Sequence, residues 1–100
     1  MKKYIKSANL GPYKYRYSVK ATTPEGRQYL LGASKDVDGA SDIAMHQADE
    51  IFDNPWMDES EKFQRLESIV IVDDDTKTDV TPADVEDYID ALMSEINSRR

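Results

Sequence analysis

Residues 12–33 read PYKYRYSVKATTPEGRQYLLGA, and their spacing decides the fold class. Tyr13, Tyr15, Tyr17, Val19 and Ala21 occupy every second position, with Lys14, Arg16, Ser18 and Lys20 between them. A period of two built from aromatic and β-branched residues describes a strand with one buried face. TTPEG follows, with Pro24 and Gly26 where a tight turn needs them. RQYLLGA then reads as the returning strand, with Tyr29, Leu31 and Ala33 inward. Upstream, KKYIKSA at residues 2–8 is a candidate further strand, and NLGP is its turn into the hairpin.

Downstream the period changes. SKDVDGAS reads as a loop, and a helix is expected from Ser41 to Asp53, because Ile43, Ala44, Ala48, Ile51 and Phe52 form a 3.6-residue stripe. Pro55 ends it, since the residue before a proline avoids the α region. DESEKFQRLES, residues 58–68, is expected as a second short helix with Phe63 and Leu66 inward. SIVIV lacks alternation, so Ile69 to Val72 imply a strand buried on both faces at the centre of a sheet. In the last helix Thr81 is the expected N-cap, with Pro82 at the first helical position and Asp84 near the positive end of the dipole. Val80 and Val85 are spaced as a hydrophobic staple. Val85, Ile89, Leu92, Met93 and Ile96 make the core stripe, with Tyr88 at its edge.

This order predicts an α+β fold for residues 1–100 as a single domain. A small, mainly antiparallel sheet, made of the N-terminal hairpin and a central strand near 68–73, packs against two or three helices. One hundred residues can bury such a core without disulfides or a metal.

Composition limits the chemistry. Without cysteine there is no thiol nucleophile, thiolate zinc site or disulfide framework, as expected for a cytoplasmic protein. The basic start MKKYIKSANLGPYK has no apolar segment of the signal-peptide kind, and no apolar run suits a membrane partner. Charge is unevenly shared. Residues 1–35 hold eight Lys or Arg against one acid, and residues 36–100 hold five against nineteen, so +7 and −14 make up the net −7. Such an asymmetry concerns partners and encounter rates more than fold.

IVIVDDD, residues 69–75, resembles the acidic strand end of response-regulator receiver domains. That family needs a phosphoacceptor on a later strand, and only 25 residues follow Asp75. DDDTK resembles the nucleophile motif of haloacid-dehalogenase phosphatases, but Lys77 stands where the motif wants Thr or Val. An EF-hand loop starting at Asp73 would need glycine where Thr78 stands. A loose divalent-cation site of Asp73, Asp75 and Asp79 is the residue of these comparisons; no cofactor or metal is expected. The lone His46 sits in a polar helical context, no GxSxG elbow or glycine-rich phosphate loop occurs, and no enzyme is expected. Trp56, beside Met57 in NPWM, is expected in the core.

The layout from Pro12 to Phe52 resembles a double-stranded-RNA-binding domain, yet Asp36, Asp38 and Asp42 replace that family's basic helix start. Phosphates would be repelled there. In size, acidity and lack of catalytic residues the chain resembles the small proteins of phages and mobile elements, anti-CRISPR proteins among them. That resemblance implies a non-enzymatic inhibitor that blocks a basic nucleic-acid-binding groove of a host protein by mimicry. The expected partner-binding face is Asp73, Asp74, Asp75, Asp79, Asp84, Glu86, Asp87 and Asp90. A second acidic set, Asp49, Glu50, Asp53, Asp58, Glu59 and Glu61, lies around the end of the first helix. The alternative is a nucleic-acid-binding accessory protein that uses Lys14, Arg16, Lys20 and Arg27 of the basic hairpin.

Overall fold

A computed structural model describes residues 15–99. The candidate strand at 2–8, Tyr13 and Lys14 lie outside them. Seven elements follow in order: β1 (Tyr17–Thr22), β2 (Gln28–Ser34), α1 (Val37–Asp53), α2 (Glu59–Glu67), β3 (Val70–Asp73), β4 (Thr78–Asp79) and α3 (Ala83–Arg99). The fold is α+β. The strands form one antiparallel sheet in the order β2-β1-β3-β4.

The hairpin is the expected one. Gly26 supplies the positive φ of its turn (+89°), and its N–H donates to the Thr23 carbonyl at 2.8 Å. Val19 and Ala21 are fully buried, and Tyr17 packs at the rim of the same core. The returning strand departs from simple alternation. Val19 pairs with Gly32 but Lys20 pairs with Leu30, so Leu31 is the extra residue of a β-bulge. Leu31 still packs on the core, but Ala33 now pairs with Ser18 and faces away from Val19, a correction to its expected inward position. The register brings Gly32 under α1. A Cβ there would stand 2.8 Å from Cγ2 of Ile43, so the lack of a side chain lets the helix lie close.

α1 starts at Val37, four residues before the expected Ser41. Asp36 caps it, accepting the Gly39 N–H at 2.7 Å, and this local bond outweighs the turn-like composition of DVDG. Its buried face is Ala40, Ser41, Ala44, Ala48 and Ile51. Asp58 caps α2 in the same way through the Glu61 N–H. The buried Lys62 sends its ammonium to the Phe52 carbonyl at 2.8 Å, which ties α2 to the end of α1.

β3 lies between β1 and β4, inside the sheet as expected. The two-sided burial is not found. Ile71 and Asp73 are buried, whereas Val70 and Val72 are half-buried, because α1 and α2 pack on one face of the sheet. Ile71 stands beside Val19, and with Leu66, Ile69, Val85, Ile89 and Ile96 they belong to one core. At the start of α3 the first α-type bond runs from Glu86 N–H to the Pro82 carbonyl. Thr81 therefore does not cap the helix. Its hydroxyl accepts the Ile71 N–H at 2.9 Å and donates to Asp79 at 2.6 Å, so it fastens the helix entry to β3.

Candidate functional site

Asp73 ends β3, and Asp74 and Asp75 begin a four-residue hairpin turn into β4, where an open loop into the last helix was expected. Asp73 is buried and committed. Arg16 of the segment entering β1 grips it with a forked pair, Nε to Oδ1 at 3.0 Å and Nη2 to Oδ2 at 2.8 Å. Asp73 Oδ1 also accepts the Asp75 N–H at 3.0 Å and the Thr76 N–H at 3.4 Å, an Asx-type turn. The bond from Arg16 holds the Asp73 carboxyl down at about 2, against the opposing effect of burial, and the two N–H groups add to the lowering. The same bond raises Arg16 above its ordinary value. Asp75 lies 3.5 Å from Arg16, Asp74 accepts the Ser18 hydroxyl, and Asp79 accepts both the N–H and hydroxyl of Thr81.

These bonds correct one expectation. Asp73 is no part of an exposed partner-binding face, because Arg16 and the turn backbone use its oxygens. The loose cation site of Asp73, Asp75 and Asp79 is not assembled either. Among the described residues, no three His or acidic side chains converge as metal ligands would.

The α3 acids behave differently. Asp84, Glu86, Asp87 and Asp90 are exposed, and none is in an ion pair among the described residues. They divide around the helix. Glu86 and Asp90 border a depression shared with Glu67, Ile69, Thr81 and Met93, between α3 and the start of β3. Asp84 lies four residues before Tyr88, on the side turned to α1. Tyr88 bridges the helices by donating its hydroxyl to Asp49 at 2.6 Å. That bond, with desolvation and the charges of Asp49 and Asp53, raises the phenol above its ordinary value. The bridge sets the Asp84 side of α3 against the Asp49 side of α1.

In the second acidic set several members have internal duties. Asp58 is the α2 cap, Glu59 pairs with Arg99 at 3.2 Å, and Glu61 with Arg65 at 2.6 Å. Glu50 lies 3.4 Å from His46, both exposed on one side of α1. Asp53 is exposed, with no hydrogen bond or ion pair among the described residues.

Trp56 is not in the core. It is 92% exposed, in the corner between α1 and α2. One signal was available: in NPWMDE it directly follows a proline and stands just before the acids Asp58 and Glu59.

The basic candidates do not gather. Lys14 lies outside the described residues. Arg16 is held by Asp73, Lys20 is half-buried and pairs across the sheet with Leu30 and Val70, and Arg27 lies in the hairpin turn. Among the described residues no helix is long and apolar enough to cross a membrane. Compared with family models, curated proteins and solved structures, the chain matches none.

Proposed function

We propose that this chain is a non-enzymatic acidic binding protein of the mobile-element inhibitor kind, which covers a basic nucleic-acid-binding groove of a host protein. One observation carries the reading: Asp84, Glu86, Asp87 and Asp90 stand exposed on one helix with no ion pair among the described residues, and Asp84 lies on the side where Tyr88 reaches Asp49 of α1. Among the described residues the cations of the helices are already used: Arg65 and Arg99 by glutamates, Lys62 by a carbonyl.

The spacing supports mimicry. Asp84, Asp87 and Asp90 are three residues apart and rise about 4.5 Å per step along the axis. One DNA strand carries a phosphate about every 3.4 Å. A groove lined with Lys and Arg meets a band of charge that winds round the exposed side of α3, and steering by the −14 segment speeds the encounter.

The test is capture of a partner from bacterial lysate by the wild type and by Asp84→Asn/Glu86→Gln/Asp87→Asn/Asp90→Asn. The reading expects a partner retained by the wild type, released by added duplex DNA and lost by the variant. Equal capture by both proteins removes the α3 face as the site. The nucleic-acid-binding alternative is tested by direct binding to DNA and RNA at low and moderate salt. There Lys14→Ala/Lys20→Ala/Arg27→Ala is the informative variant, since it spares the Arg16–Asp73 anchor.

A further inference from the structure

Trp56 is exposed, but its backbone is fixed. Its N–H donates to Asn54 Oδ1 at 2.8 Å, Asn54 N–H donates to the Ile51 carbonyl, and Met57 N–H to the Asn54 carbonyl. Pro55 stiffens the turn on one side, and on the other Met57 packs on the core. Holding an indole of this size in water forgoes the burial that aromatic side chains ordinarily gain. Together with His46, Asp49, Glu50, Asp53, Asn54 and Pro55 it lines an open hollow of about 530 Å³.

The chain fills three comparable arrangements itself. Arg16 lies over the Tyr17 ring (5.4 Å) and pairs with Asp73. Arg65 lies over Tyr29 (5.4 Å) and pairs with Glu61. Arg99 lies over Phe52 (4.7 Å) and pairs with Glu59. Each joins an aromatic face, a carboxylate and a guanidinium. Trp56 with Asp53, Asp49 and Glu50 supplies the first two parts of a fourth such set, without a guanidinium among the described residues.

We propose that the α1–α2 corner receives an arginine side chain of the partner protein. This deepens the proposed function and rests on it in so far as the partner is basic. The guanidinium stacks on the Trp56 indole and takes Asp53, the carboxylate with no bond of its own, as its counter-ion. Arginine fits better than lysine because its planar, weakly hydrated group stacks on aromatic faces and bonds carboxylates through a fork. A nucleobase would stack equally well, but its phosphates would meet Asp49, Glu50 and Asp53.

Trp56 is the only tryptophan in the chain, so its fluorescence reports on this corner directly. Nona-arginine, nona-lysine and nona-glutamate peptides are titrated at constant ionic strength, with fluorescence and calorimetry read in parallel. Far-UV circular dichroism checks that each variant is folded. Nona-arginine is expected to shift Trp56 emission at several-fold lower concentration than nona-lysine, and nona-glutamate to leave it unmoved. By calorimetry Trp56→Ala is expected to bind nona-arginine about tenfold more weakly. Asp53→Asn is expected to weaken it several-fold.

Binding of nona-arginine with Trp56 emission unmoved, or equal affinity of Trp56→Ala and wild type, overturns the proposal. Asp84→Asn/Asp87→Asn/Asp90→Asn separates it from the broader reading. If that variant loses affinity while Trp56→Ala does not, the arginine receptor fails and the acidic-face reading stands. If Trp56→Ala loses affinity and the α3 variant does not, the receptor stands and the α3 face fails. No binding of nona-arginine to the wild type overturns both.

Discussion

The β3–β4 turn and α3 adjoin in sequence and are both rich in aspartate, yet they use it in opposite ways. At the turn, Asp73 is buried and held by Arg16, Asp75 is in ion-pair range of the same arginine, and Asp74 and Asp79 accept hydrogen bonds from Ser18 and Thr81. On α3, Asp84, Asp87 and Asp90 stand in solvent, in no ion pair among the described residues. The difference lies in the strand pairing. β1 runs antiparallel to β3, which sets Tyr17 opposite Asp73 and brings the preceding Arg16 to the turn. Among the described residues no strand pairs beside α3 to bring a cation to these acids. An acid beside a cation supplied by the fold becomes structural, and one without it stays in solvent.

The largest expected effect lies in the core that carries both regions. Ile71→Ala should cost about 2–5 kcal/mol in urea unfolding, because Ile71 is fully buried between the sheet and the helices. A loss near zero would mean that β3 does not sit in the core. Next comes the anchor. Asp73→Ala and Arg16→Ala should each lower the urea midpoint, by less than Ile71→Ala, and the double variant should fall by less than the sum of the two. Additive losses would break the claim that these residues act as a pair.

The pair also has a pH signature. The Asp73 carboxyl is held below its unfolded value, so its contribution is complete above about 4 and is lost as pH falls through about 2. In Asp73→Asn the loss of stability across that window should be smaller than in the wild type; an unchanged acid limb would sink the assignment.

A smaller effect of opposite sign is expected at Lys77, which holds a left-handed backbone (φ 60°) at the end of the aspartate turn. Lys77→Gly should stabilise the chain by about 1 kcal/mol. The smallest effect is on the helix. Asp87→Asn and Asp90→Asn should each change stability by no more than about 0.5 kcal/mol, and a larger loss would place those acids on the structural side of the comparison.

Local patterns made much of this fold legible. The period-two run placed Tyr17, Val19 and Ala21 on the core face, and the 3.6-residue stripe of α3 identified Val85, Ile89 and Ile96, with Tyr88 at the edge. Features set by distant contacts were not legible. The bulge at Leu31 depends on pairing with β1, and nothing near Asp73 announces an arginine 57 positions away. The early start of α1 was hidden by DVDG, whose turn-like composition conceals the capping bond from Gly39 N–H to Asp36. Four consecutive apolar residues, Ile69 to Val72, read as two-sided burial, although the helices cover one face. For the site, the exposed acids of α3 could be read from their helical spacing. The bridge to α1 through Tyr88 and the exposure of Trp56 depend on how the helices meet.

The most direct test compares the two sets of acids in one calorimetric titration with a basic peptide such as nona-arginine. The wild type is set beside Asp84→Asn/Asp87→Asn/Asp90→Asn and Asp73→Asn, at a temperature where all three are folded. The account predicts weakened binding for the α3 variant and wild-type affinity for Asp73→Asn. Wild-type affinity for the α3 variant, with binding lost in folded Asp73→Asn, would contradict it.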